Sequence, residues 1–591
     1  PGAPHATQMP CTPVPSGSSS ALKLLVLSVV SSYAFGLAYE YAAAYYVELS
    51  STHALLVWTK FPIPLLSLVP GVVWSVCRAV AFVALGVYVA YTIVMGSIAA
   101  SYDRLMQANH FDIDGYFEKA TGKRPSTQDK AKCAFLHRMN VGDAPISATP
   151  MALAETLSPF VQGLRVTSRK DGPAATPTPG ATPFAPPASG AIVVGTIRMG
   201  FGHHRIAYAA SSWALGSGKA TYFHDLLNVE SKEAQLIKDM DKLYSAGSRI
   251  ATEMGGVVER LWGNMSAKQG DENSLRIFYA MAEQIKPLLL GVPKDTPIIA
   301  SHCLVGLLAV ACGFKRVINL VIDNHAQYFI VVPGAINLVQ GPTNYHRLLR
   351  MGVPASQLRL AGGWIPKDLV VNLEADCHAR IARAAARKPV RLLIPVGGAG
   401  AQRTFVTKFV RATGPLLKAG KLQLFLNAAD HAHMKAAFLG ALAAIGVDNY
   451  ETVDTIQKVY DFCDARRAGK EPSSAVTLFA FPDYFPAVAT TDLVGRVADV
   501  LCAKPSELAF YPIPKLNIRR VGDHEAFSAV RSSELGDGTL EARELEDAMA
   551  YLHLFVTAPD LLTQMNKSIM VNGKAGLYDG CKVAVECALE K

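Results

Sequence analysis

The ten cysteines of this 591-residue sequence form no CxxC pair, which argues against a cysteine zinc site and against a disulfide framework. They stand singly at 11, 77, 133, 303, 312, 377, 463, 502, 581 and 587, as free buried thiols of a reducing compartment would. Charge is also scarce. Charged residues make up 18% against 50% apolar, with a mean hydropathy of +0.21, too apolar for a disordered chain and more apolar than a wholly soluble one. The 57 basic and 48 acidic residues leave +9. Spread over this length, that surplus speaks against a nucleic-acid partner and favours at most an anionic membrane surface. No GxxxxGK[ST] loop occurs, which disfavours a P-loop NTPase. The DxD letters at Asp239-Met240-Asp241 lie between Lys238 and Lys242 in a helix-like stretch and read as a solvated helix face, so no metal is expected. At roughly 150 residues per domain, the length predicts about four domain-sized units.

Hydrophobic length is what the N-terminal region has in excess. Residues 1–20 are Pro/Ser-rich and read as a flexible tail. Leu24 to Tyr39 is uncharged, and after Glu40 the apolar run resumes to Val47. Ala79 to Ala100 gives 22 residues without a charge, enough for a helix to cross a hydrocarbon core of ~30 Å. Between them, 61–77 is uncharged but carries Pro62, Pro64 and Pro70, and reads as an interfacial or re-entrant approach. Residues 21–101 are therefore expected to be a membrane segment of about two helices. Arg104, Lys119, Lys123, Arg124, Lys130 and Lys132 follow the second run, whereas Lys60 stands alone in the loop before it. That asymmetry places the large C-terminal part on the cytoplasmic side or its matrix or stromal equivalent, with a mitochondrial inner or plastid membrane among the settings that fit. Residues 102–171 read as a helical neck, and 172–190, with six prolines, as a stiff linker.

Beyond the linker, short β-branched runs alternate with helical stretches. Strands are expected at 191–197, 297–302, 316–323, 391–396, 422–427 and 475–481. Strands alternating with helices imply βαβ units and parallel sheets. Two such series each open on an apolar strand running into glycines, at 193–202 and 393–400. The expected architecture is α/β, two doubly wound Rossmann-like domains at 191–370 and 371–591, with a helical insertion at 226–290. Ligands in such sheets sit at the carboxyl ends of the strands.

Three loops could carry chemistry. Gly200-Phe201-Gly202-His203-His204-Arg205 follows a strand and precedes a helix; its glycines let a ligand approach backbone N–H groups, and a histidine there suits a general base. Gly397-Gly398-Ala399-Gly400 is a second strand-to-helix loop, and it does not fit GxGxxG in register. The stretch Lys504-Pro505-Ser506-Glu507 turns out of a strand and is expected to open a helix whose free N–H groups seat a diphosphate. Its carboxylate could hold ribose hydroxyls. Gly522-Asp523-His524-Glu525 follows as a polar loop.

Four stretches, 201–210, 323–366, 394–400 and 503–539, resemble the GT-B glycosyltransferases, in the branch of monogalactosyldiacylglycerol synthase, diacylglycerol glucosyltransferases and MurG. The likeness spans roughly 191–590 and is most specific at 503–539. It implies that His203 is the base, that Gly200, Gly202, Gly398 and Gly400 approach the donor, that Lys504, Ser506 and Glu507 form the nucleotide seat with Glu507 on the ribose, and that Asp523, His524 and Glu525 read the sugar. His204 is additional to the family pattern. The implied donor is a nucleoside-diphosphate sugar, a UDP-sugar foremost, and the implied acceptor a membrane lipid such as diacylglycerol. The competing expectation is a lapsed GT-B module serving as an accessory or scaffold subunit of a membrane complex; an epimerase acting on free nucleotide sugars is a third.

Overall fold

Each expected strand of the α/β part forms. The computed structural model describes residues 63–107, 111–141, 149–169, 180–187, 190–239, 242, 272–397, 400, 402–522 and 525–590, and Pro1–Ile98 and Ala99–Lys591 make two compact units. The apolar run at 24–47, most of the linker, Gly398, Asp523 and His524 lie outside the described residues.

A single helix begins at Ile63 in the first unit and ends at Gln107, past the unit boundary. The expected re-entrant segment is thus part of this helix. Pro64 sits in its first turn, where an N–H has no partner to lose, and Pro70 removes one bond from a long ladder. Arg78–Met106 is long and apolar enough to cross a membrane, with a mean hydropathy of 2.1 and none of its apolar window buried. Phe82, Val83 and Ile93 are all exposed.

In the second unit, a nine-stranded sheet has the order β3-β1-β2-β5-β4-β6-β7-β8-β9. Its parallel centre comprises β5 (Ala220–Asp225), β4 (Ala191–Thr196), β6 (Ile298–Ala300), β7 (Val317–Leu320), β8 (Ile336–Val339) and β9 (Leu358–Leu360). β1 (Leu153–Leu157) and β2 (Leu164–Arg169) form an antiparallel hairpin that joins β5 through β2, and β3 (Thr182–Pro183) pairs with β1. The second sheet is parallel throughout, ordered β12-β13-β11-β10-β14-β15: β10 (Val390–Pro395), β11 (Leu422–Asn427), β12 (Glu451–Val453), β13 (Val476–Phe479), β14 (Val500–Ala503) and β15 (Lys515–Asn517). Strands buried on both faces read as continuous apolar runs. Accordingly Val193 of β4 packs into one core and its neighbours Ile192 and Val194 into another.

Two expected boundaries shift. The neck is helical only in part, at Ile113–Thr121 and Thr127–Val141; the β1–β2 hairpin follows, and β3 falls inside the expected linker. The helical part is docked on the first sheet's domain. Arg276 donates to Asp114 at 2.8 Å, Tyr102 donates to the same carboxylate at 2.8 Å, and the guanidinium lies over Phe117. At the other end, the helix Gly580–Leu589 returns from the second domain to the first. Its Cys581, Ala584 and Val585 share a core with Ile192 and Ile318. Gly580 permits this, since a Cβ there would lie 2.5 Å from the Gly362 carbonyl. Among the described residues eight cysteines are free thiols, seven of them buried.

The hairpin is tied to β5 through His224. Its Nδ1 meets Thr167 Oγ1 at 2.6 Å and its Nε2 meets the Leu288 carbonyl at 3.1 Å. Burial pushes its pKa down to about 4. The unfolded chain takes up that proton near 6.5, so between these values it binds more protons than the fold does. Stability is therefore complete above about pH 6.5 and falls as the pH drops towards 4, by about 3 kcal/mol from this group. Denaturant unfolding at pH 7.5 and 4.5 should show that loss, and a His224→Gln variant should lose correspondingly less on acidification.

Candidate functional site

The carboxyl ends of the two parallel sheets face each other, and the loops leaving them meet. From the first domain comes the turn after β4. Gly200 takes φ +78° and leads into the helix Gly202–Leu215. From the second come the loops after β11, β13 and β14.

The two consecutive histidines part company here. His204 is buried; its Nε2 lies 3.0 Å from Asp225 at the end of β5, and its ring meets Phe223 and Tyr484 edge-on. It is a packing residue. His203 lies on the cleft side, half-buried, with Nδ1 2.9 Å from the Ser301 carbonyl and its ring beside His302. Burial lowers its pKa from the ordinary 6.5. A neutral imidazole with one nitrogen tied to a carbonyl has the competence of a general base.

Arg205 closes the same loop, and the sequence assigns it no role of its own. Its guanidinium is buried, 3.0 Å from Glu507 and 3.7 Å from Asp492 of the opposite domain. Tyr511 donates to Asp492 at 2.7 Å, and burial pushes the Asp492 pKa up to about 6. Glu507 thus projects across the cleft at the start of the Gly202–Leu215 helix; a Cβ on Gly202 would stand 3.1 Å from its Oε2. The helix expected to open at Ser506-Glu507 is a 3₁₀ turn, Glu507–Phe510, and the Ser506 hydroxyl makes no capping bond. Pro512 and Pro514 explain the short run, since the residue before a proline disfavours helix. The dipole of a full helix is therefore lacking at this loop.

Of the remaining expected residues, those that are described, Gly400, Lys504 and Glu525, fall around the same cleft. Gly400, at φ +60°, would bring a Cβ within 2.5 Å of His433, and the Gly397 carbonyl meets His431 at 3.2 Å, so the second glycine loop packs on the turn after β11. Lys504 is paired with Glu525. Glu525 is buried and accepts from the Val521 N–H at 2.8 Å, so among these contacts it organises its own loop.

An aromatic wedge closes the seam. The helix Tyr484–Gly495 starts with Tyr484, which donates to the Gly200 carbonyl at 3.2 Å and lies under Arg198 at 3.7 Å. Phe485 stacks on Phe160, in the β1–β2 turn, with centroids 4.7 Å apart. Arg198 also approaches Asp430 at 3.9 Å. Neither Tyr484 nor His302 announces itself by motif. The one sequence signal for His302 is its place directly after an apolar strand, as His203 follows another.

Two Rossmann-like domains meeting at their strands' carboxyl ends define the class by topology: an α/β protein with its cleft where such sheets take ligands. Residues 162–349 match one family model and 353–589 another, described as domains of unknown function, DUF6937 and DUF6938. No curated protein matches. Similar solved structures include the S. aureus MnaA-UDP co-structure, 9% identical over 67% of this chain and 94% of that one at a TM-score of 0.37. UDP-GlcNAc 2-epimerase from Neisseria meningitidis bound to UDP-GlcNAc is 11% identical over 68% and 99%, at 0.37. Alpha,alpha-trehalose 6-phosphate synthase from Burkholderia multivorans is 11% identical over 68% and 98%, at 0.37.

Replacing Arg205 by alanine should cost up to about 3–5 kcal/mol, the figure for breaking a fully buried pair, because it leaves two half-buried carboxylates, Glu507 and Asp492, without their buried cation. The cost should shrink between pH 8 and pH 5, as Asp492 takes up a proton. Denaturant titrations of both proteins at the two pH values measure this.

Proposed function

We propose that this chain is a membrane-anchored inverting glycosyltransferase of the GT-B kind, moving a sugar from a nucleoside-diphosphate sugar, foremost a UDP-sugar, to a lipid hydroxyl such as that of diacylglycerol. The observation that carries the reading is His203: a neutral histidine on a strand-to-helix turn at the mouth between two facing parallel sheets. Inverting transfer needs a base for the acceptor and positive potential for the leaving diphosphate. His203 Nε2 supplies the first. For the second, the loop after β15 carries Arg519 and Arg520, the latter ion-paired with Glu541. The apolar helix Arg78–Met106 supports the membrane part, since an enzyme held in the bilayer meets a lipid acceptor at raised effective concentration. The basic residues that follow it support a cytoplasmic, matrix or stromal orientation.

One observation favours the second reading, an accessory or scaffold subunit. Glu507, which the family resemblance places on the nucleotide ribose, is engaged by Arg205. A carboxylate used to hold two domains together has a structural role that needs no nucleotide.

Calorimetry of the full chain in detergent with UDP, UMP, UDP-glucose, UDP-galactose and UDP-GlcNAc separates the two. The transferase reading expects micromolar UDP binding, tighter than UMP, and at least tenfold weaker binding by Glu507→Gln. Glutamine keeps the shape and an oxygen for Arg205. Absence of binding to the folded protein overturns the transferase and leaves the scaffold.

A further inference from the structure

The adjacent strands β4 and β6 each lead into a histidine, and the backbone fixes the two rings in opposite tautomers. His203 Nδ1 lies 2.9 Å from the Ser301 carbonyl oxygen. A carbonyl only accepts, so Nδ1 carries the hydrogen and Nε2 the lone pair. His302 is the reverse. It stands at the N-cap of the helix Cys303–Ala311, and its Nδ1 accepts the Leu304 N–H at 3.1 Å. Its lone pair is therefore at Nδ1, and Nε2 bears the hydrogen. The ring centroids are 4.4 Å apart at 49°. Burial holds both rings neutral, and each would repel a charge on the other. The charged and titratable groups around them are Asp323, Glu507 and His204 near His203 and Cys303 beside His302.

We propose, on the transferase reading above, that His302 is an acceptor-positioning residue: its Nε2–H donates to the oxygen of the same hydroxyl whose proton His203 Nε2 accepts. A hydroxyl has one hydrogen and two lone pairs. Giving the hydrogen to His203 and one lone pair to His302 leaves the second lone pair for the anomeric carbon. In the transfer, the hydroxyl proton passes to His203, the oxygen lone pair forms the bond to the anomeric carbon, and the bond from that carbon to the diphosphate breaks with its electrons leaving on the diphosphate. His302 exchanges no proton. It holds the oxygen and eases the loss of its proton by donating to the charge that develops there. The substrate class this pair fits is an alcohol, because a hydroxyl both gives and takes a hydrogen bond.

His302→Asn is the test, because asparagine is a good N-cap that can still accept from Leu304 N–H but has no group where the imidazole Nε2–H lies. His302→Ser is a second capping variant, and thermal unfolding checks that each is folded. With UDP-sugar and diacylglycerol in mixed micelles, both variants should show at least a tenfold higher acceptor KM, with donor Kd unchanged by calorimetry. His203→Asn should instead lose kcat. Long-range ¹H–¹⁵N NMR of the histidine-labelled full chain should report the hydrogen on Nδ1 of His203 and on Nε2 of His302. A shared tautomer, or an unchanged acceptor KM in both variants, overturns the proposal while leaving the transferase reading intact. Failure of the unaltered chain to bind any UDP-sugar overturns the reading itself, and the proposal with it.

Discussion

A buried guanidinium governs how the two sheets meet. Arg205 sits on the first turn of the helix after β4, with its side chain 3% exposed. A charge taken from water this completely needs compensation, and the compensation comes from the other domain, as Glu507 and Asp492. Neither carboxylate is in reach unless the Tyr484–Gly495 helix and the loop after β14 lie against the helix that carries Arg205. The requirement to neutralise one cation thus sets the separation of the domains at the level of the cleft. Tyr484 and Phe485 fill the apolar remainder of the seam, against Gly200, His204, Tyr208 and Phe160.

That constraint decides which residues face the opening. With Arg205 turned into the seam and His204 turned to Asp225, His203 is the member of the triplet left on the cleft side. A helix presents successive residues about 100° apart, so three consecutive polar residues at its start serve three different surroundings. The glycines before them keep the backbone close to the opposite domain, where a Cβ on Gly202 would crowd Glu507. The additions to the two-sheet plan tie its periphery together. The β1–β2 hairpin carries Phe160 across to the second domain, and the Gly580–Leu589 helix brings the end of the chain back to the first. The apolar helix is a separate matter: among the described residues its valines and aromatics, Phe82, Val83 and Tyr91 among them, are exposed.

The strands most legible in the sequence were those buried on both faces. β4, β6, β7, β10, β11 and β13 are dominated by β-branched and other apolar residues because they are buried on both faces, with single polar residues such as Asn319, Arg391 and Gln423 interrupting β7, β10 and β11. β8, β9, β12 and β15 are not among the expected strands; β9, β12 and β15 carry Arg359, Glu451 and Lys515 within only three residues each. The β1–β2 hairpin, with sequences LAETL and LRVTSR, is partly polar because it lies towards the sheet's edge, so it was hidden in what looked like a helical neck. The start at Ser506-Glu507 looked helical from its residue types; two downstream prolines and the entry into β15 limited it to a 3₁₀ turn.

By itself the sequence determined the two α/β series, the glycine turns that end their first strands, the apolar helix and the presence of histidine at the first turn. These are local properties, written in the hydrophobicity and backbone freedom of neighbouring residues. Only the tertiary structure decided which histidine faces the cleft, that Glu507 meets Arg205, 302 residues away in the chain, and that His302 stands beside His203. Those outcomes depend on which groups must share a buried volume, and charge compensation and hydrogen-bond satisfaction there are settled by partners the chain brings from far away.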